Sequence, residues 1–169
     1  EGLICSTACL NGQIPKTILS GDIKGAEELI KKYNTLFGED NFYLEMQYHP
    51  NEKEQIKVNE VLAMFSKKLN VPLLATNDIH YLRPEDKEAQ DILMCLQSKK
   101  KIDDKNRMNM TNFDLSFRSP EQMMEGFRDY PEAIFNSVKI AEMCDVSLEL
   151  HKILLPHFEL PEGKTDNSY

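Results

Sequence analysis

Ala75-Thr76-Asn77-Asp78-Ile79-His80-Tyr81, following the apolar run Val71-Pro72-Leu73-Leu74, is the stretch on which the reading of this chain turns. A β-branched and leucine-rich run that follows a helical pattern and ends in polar residues reads as a buried strand, Val71 to Asn77. Side chains alternate along a strand, so Asp78 and His80 are expected on one face, a carboxylate beside an imidazole. They fall at the strand's C-terminal end, where open and barrel-type α/β folds place their chemistry. Imidazole and carboxylate together suit zinc or manganese, so Asp-x-His at that position is a candidate metal half-site. The plainer alternative makes Asp78 a turn cap and His80 a half-buried polar residue.

Working upstream, residues 52–69 read as an amphipathic helix, with Ile56, Leu62, Phe65 and Leu69 expected inward and Asn70 as its C-cap. Asn41 to Tyr48 is the strand before it, ending in His49-Pro50-Asn51. Asp22 caps an earlier helix whose apolar face is Ala26, Leu29, Ile30 and Tyr33, closing at Phe37-Gly38. A short helix around Pro15 to Leu19, the loop Ala8 to Gly12 and a strand from Leu3 to Thr7 complete the first part. Strand, helix, strand, helix, strand with short connections implies parallel pairing and right-handed crossovers.

Beyond His80 the pattern changes. Arg83-Pro84-Glu85-Asp86 opens a helix to Ser98 with Ala89, Ile92, Leu93 and Leu96 expected inward. Lys99 to Asp104 is a charged loop, and 105–118 is irregular or a short strand around Phe113-Leu115-Phe117. Ser119-Pro120-Glu121-Gln122 is a helix start with a serine cap and proline in the first turn. Tyr130-Pro131-Glu132 starts another helix, carrying Ala133, Ile134, Val138, Ile140 and Ala141 to Met143, and Leu154 to Pro161 reads as extended. The organisation expected is an α/β part over 1–98 and a mostly helical connector over 99–169.

At 169 residues, with 41% hydrophobic and 28% charged residues, the chain has the composition of a folded soluble domain. A net charge of −8 argues against a surface that grips nucleic acid all over. No apolar run approaches the length of a membrane span and no signal peptide is present. Cys5, Cys9, Cys95 and Cys144 show no paired spacing, as expected of a reducing cytoplasmic protein. The chain opens on Glu1-Gly2-Leu3-Ile4 and ends just past a Pro-Glu-Gly turn, so it reads as a fragment of something longer. Phosphate-binding loops, the dinucleotide fingerprint and the nucleophile elbow are all missing from the sequence.

Three successive strands end in donors: Cys9, then His49, then Asp78 and His80. In a parallel sheet or barrel those ends share one rim, and a thiolate, two imidazoles and a carboxylate make a set suited to zinc. Individually Cys9 reads as a small packed residue and His49 as the start of a turn; the coincidence at three strand ends is what carries the metal reading. His151 and His157 lie away from that rim and receive no role.

These motifs, in this order, resemble the later part of the PHP domain of bacterial replicative (family C) DNA polymerases. The likeness runs through Cys9-Leu10-Asn11-Gly12, Phe42-Tyr43-Leu44-Glu45-Met46-Gln47-Tyr48-His49 and Ala75 to Tyr81. It continues through Leu93-Met94-Cys95-Leu96-Gln97, Arg118 to Met123 and Ile140 to Val146, and ends with Leu155-Pro156-His157-Phe158 and Pro161-Glu162-Gly163. The resemblance implies the C-terminal part of a PHP-type (βα)7 barrel followed by a helical segment leading to a polymerase palm. It implies a site of Zn or Mn in which Asp78 and His80 match the final Asp-x-His pair and Cys9 an earlier ligand, with His49 matching a histidine at the rim. In active members such a site supports phosphoester hydrolysis, including 3′–5′ exonuclease action; others use the domain as a metal-free scaffold. DNA, a sliding clamp and a proofreading subunit are the implied partners, and Mg the metal of a polymerase site outside this chain. The family's amino-terminal His-x-His strand and the palm carboxylates have no counterpart here, so the isolated segment is expected to be inactive and to expose strand edges.

Overall fold

The structure, a computed structural model, describes residues 2–151 and 159–160. Three strands form one parallel sheet in the order β1 (Cys5–Ser6), β2 (Phe42–Gln47), β3 (Leu73–Thr76). Between them lie α1 (Gln13–Leu19), α2 (Ile23–Phe37) and α3 (Lys53–Leu69), and after them α4 (Lys87–Ser98), α5 (Pro120–Gly126) and α6 (Pro131–Met143). Three parallel strands with helices between them, followed by a helical part, are consistent with the partial α/β barrel that the resemblance implies. The strands are shorter at both ends than the apolar runs suggest: pairing begins at Cys5 instead of Leu3, which is exposed, and stops at Thr76. The extended reading of 154–161 lies largely outside the described residues.

Capping chemistry sets the helix ends. Asp22 accepts a hydrogen bond from the Gly25 N–H at 2.9 Å. Ser119 and Gln122 form a reciprocal box, Ser119 N–H donating to Gln122 Oε1 at 2.8 Å and Gln122 N–H to Ser119 Oγ at 3.3 Å. Asn70 takes the left-handed conformation (φ 54°) that ends α3, which asparagine tolerates better than most residues.

Alternation divides β2 into two faces. Phe42, Leu44 and Met46 join Leu73 and Ala75 of β3 in one hydrophobic core with Ile14, Ile18, Ile30, Val58, Leu62 and Phe65 from α1, α2 and α3. Phe127 and Ala133 enter the same core from the C-terminal helices. Asn136 of α6 donates to the Leu73 carbonyl at 2.7 Å, so a side chain serves the edge of β3, where no further strand pairs among the described residues. On the other face Glu45 accepts from Thr76 Oγ at 2.7 Å, from Gln47 Nε2 at 3.3 Å and from Ser6 Oγ. The Glu45 N–H in turn donates to Thr7 Oγ at 2.8 Å. One carboxylate thus ties the three strands together just below their C-terminal ends.

Two inward assignments are corrected. Ile56 on α3 is exposed, and so is the whole Ala89, Ile92, Leu93, Leu96 stripe of α4, with Leu96 at 71%. The face of α4 that packs carries Asp91 and Cys95. Arg107 folds back onto it and donates from both terminal nitrogens to Asp91, at 2.5 and 2.7 Å. A stripe of apolar residues shows which side chains share a face; the bidentate pair decides which face meets the body.

Candidate metal centre

The turn after β1 places Cys9. Ala8 adopts a left-handed conformation (φ 59°), and the Gly12 N–H donates to the Cys9 carbonyl at 2.8 Å. A Cβ on Gly12 would stand 3.1 Å from that carbonyl oxygen and press on the Thr7 carbonyl as well, so the turn requires glycine. His49 follows β2 directly and is 9% exposed. Its carbonyl accepts from the Glu52 N–H at 3.0 Å, and the Phe113 ring meets its imidazole edge-on with centroids 6.1 Å apart.

Asp78 and His80 come together by a different route from strand alternation. Pairing has ended at Thr76, Asn77 is anchored through its Nδ2–H to the Ser116 carbonyl at 3.0 Å, and Asp78 is left-handed (φ 51°). That kink turns the carboxylate between two imidazoles. Its Oδ1 lies 3.3 Å from His80 Nε2, within hydrogen-bonding distance, and its Oδ2 lies 3.9 Å from His49 Nε2. Burial pushes the His49 imidazole below its ordinary range, Asp78 opposing this and Arg118 reinforcing it. The neutral ring that results is the ligating form.

Cys9, His49, Asp78 and His80 all line one cavity of about 320 Å³, so the four candidates converge on a single rim. Their chemistry fits a divalent cation: two imidazoles, a carboxylate and a thiol. Their placement is open. Among the described residues no three His, Cys, Asp or Glu side chains close around one point. The histidines instead face the two oxygens of Asp78.

Several residues of the rim were invisible to sequence patterning. Gln55, expected only as an α3 residue, is 2% exposed, and its Oε1 has no hydrogen-bond partner among the described residues. Arg118 stacks over the Tyr48 ring, 4.9 Å from its centroid, and pairs with Asp114 at 3.1 Å. The alternation of Tyr43, Glu45 and Gln47 was the one available signal for Glu45.

A PHP domain model matches residues 1–49, a span that takes in Cys9 and ends on His49. The DNA polymerase III subunit alpha of Treponema pallidum is 42% identical over 161 residues, which cover 95% of this chain. The chain is similar to one segment of the DNA polymerase III alpha subunits. The subunit alpha of Borreliella burgdorferi is 43% identical over 95% of the chain, and that of Thermus aquaticus 37% identical over all of it. The chain spans 14% of the length of each of these alpha subunits. Asp78 and His80 fall beyond the PHP match but inside the segment shared with the alpha subunits. Among the described residues no helix is long and apolar enough to cross a membrane.

Proposed function

We propose that this chain is a working part of a replicative DNA polymerase alpha subunit and contributes donors to a divalent-metal phosphoesterase site. The observation that carries the reading is the Asp78 carboxylate held between His49 and His80 at the strand ends, with Cys9 on the same cavity. Residues 1–98 would supply the PHP portion and 99–169 the connector toward a palm, the two sharing a core through Phe127 and Ala133. Zinc or manganese bound there would polarise a phosphate and activate water for attack on it. Asp78, His80 and Cys9 would hold the metal, with His49 completing the rim, while the Glu45 network keeps the three strand ends in register beneath them. DNA synthesis, its Mg site, DNA, a sliding clamp and a proofreading subunit would belong to the longer protein, and the isolated segment would be inactive.

A second reading, a metal-free scaffold of the same polymerase, is favoured by the open placement of the donors among the described residues. Metal analysis of the protein at its natural length, with chelator-sensitive 3′–5′ nuclease assays, separates the two. The phosphoesterase reading expects bound metal and a nuclease activity lost in His80→Ala; a metal-free protein with no such activity overturns it.

A further inference from the structure

The strand end that carries Asp78 and His80 does not stand alone: residues 113–118 run across it as a strap. We propose that Tyr81 is a positioning residue for the rim, its hydroxyl latching the strap and the strap setting both imidazoles at once. The inference rests on the metal-binding reading of the rim and names a residue, outside the donor set, on which that binding depends.

Tyr81 Oη accepts from the Leu115 N–H at 2.9 Å and donates to the Phe113 carbonyl at 3.3 Å, so one hydroxyl grips the strap at two residues. From there the strap reaches each histidine by a separate contact. The Leu115 carbonyl accepts the His80 N–H at 2.9 Å, which fixes the backbone from which the imidazole extends to Asp78. The Phe113 ring meets the His49 imidazole edge-on, with centroids 6.1 Å apart. Farther along, Ser116 pairs beside Tyr81, and its carbonyl accepts the Asn77 Nδ2–H at 3.0 Å. The Phe117 N–H then donates to the Tyr81 carbonyl at 3.1 Å. Asn77 and His80 flank the left-handed Asp78, so the kink that turns its carboxylate between the two rings is held from both sides by one strap.

The hydroxyl matters because of where its partner lies. Leu115 is 3% exposed, so its N–H has no water to turn to once the hydroxyl is gone. A buried donor stripped of its acceptor is costly, and the strap relieves that cost by moving. The Leu115 carbonyl moves with it and carries the His80 backbone along. The Phe113 carbonyl loses its donor in the same step, which frees the ring that packs on His49. Groups behind a metal's ligands fix their orientation, and losing one typically lowers metal affinity by about 10- to 100-fold. Tyr81 acts through backbone and not directly on an imidazole nitrogen, which places the expected effect at the lower end of that range.

Tyr81→Phe keeps the ring and removes only the hydroxyl. Zinc affinity of the protein at its natural length is read by competition against a chromophoric chelator, in the parent, in Tyr81→Phe and in Asn136→Ala. The last variant strips the Leu73 carbonyl of its side-chain donor at the opposite end of β3 from the rim. It therefore measures what a lost hydrogen bond does to zinc through the fold alone. Tyr81→Phe is expected to weaken zinc binding about tenfold, and Asn136→Ala to leave it unchanged. Coupling is reciprocal, so zinc should also slow hydrogen exchange at the Leu115 amide of the parent. Equal zinc affinity in the parent and Tyr81→Phe, or an equal loss in the two variants, overturns the positioning role and leaves the metal reading standing. Exchange at Leu115 that zinc does not slow overturns it as well. Zinc bound by none of the three proteins overturns the metal reading, and the positioning role falls with it.

Discussion

Gly126, the last residue of α5, lies against the ring of Tyr48, the residue that leads into His49, and replacing it with alanine is the sharpest test of how the helical part supports the rim. A Cβ at this position would stand 2.5 Å from Tyr48 Cδ2 and 2.9 Å from Cζ. Ordinary carbon contacts lie at about 3.5–4.0 Å, so the ring has to retreat by roughly an ångström. It has little room, because Arg118 stacks on it at 4.9 Å and Phe127 packs at 6.0 Å. Overpacking of this kind costs about 1–3 kcal/mol. Alanine recovers roughly 0.5–1 kcal/mol over glycine in a helix. Overpacking wins, and the net loss is about 1 kcal/mol, or a Tm lower by roughly 2–4 °C for a chain of this size. Urea denaturation of the parent, Gly126→Ala, Tyr48→Leu and the double variant measures it as a cycle. In the Tyr48→Leu background the alanine should be neutral or stabilising. Equal destabilisation in both backgrounds, or none in the parent, would refute the claim that Tyr48 is wedged between α5 and Arg118.

Three other outcomes are expected. Asn136→Ala should cost about 1 kcal/mol by leaving the Leu73 carbonyl without its donor, read as a lower urea midpoint with an unchanged slope. Leu96→Glu on the exposed face of α4 should change stability by no more than about 0.5 kcal/mol; a large loss in the isolated chain would restore the inward stripe expected from the sequence. The hydrogen bond from Arg107, reinforced by its charge, holds the Asp91 carboxyl below the usual carboxylate range. The support this pair gives to α4 is therefore present above that range and lost as pH falls through the lowered value. Hydrogen exchange along α4 should accelerate in acid, and Asp91→Asn should abolish the acid dependence.

Much of this architecture is legible in local chemistry. The caps at Asp22 and Ser119, the C-cap at Asn70, the strand β2 and the inward Leu62 and Phe65 of α3 depend on neighbours within a few residues, and the structure places them where those neighbours dictate; Ile56, counted in the same α3 period, is the exception and is exposed. The exposed stripe of α4 was not legible, because the pair that orients the helix joins Asp91 to Arg107 across a charged loop. Nor was the route by which Asp78 meets His80. Alternation gave the right pairing for the wrong reason, since the strand ends at Thr76 and a left-handed Asp78 makes the turn. Gln55 and Phe113 reach the rim from a helix face and an irregular segment, and no spacing rule connects either to the donors. Periodicity reports faces and ends of elements; it is silent on what loops bring across a cavity.

The central claim is that the rim formed by Cys9, His49, Asp78 and His80 binds a metal, and cobalt(II) titration tests it most directly. Cobalt absorbance should be followed for this chain, for the protein at its natural length, and for the Cys9→Ser variant of each. The account predicts a thiolate-to-cobalt charge-transfer band in the natural-length protein that disappears in its Cys9→Ser variant. Cobalt bound without such a band, or a band that survives the loss of Cys9, would contradict it.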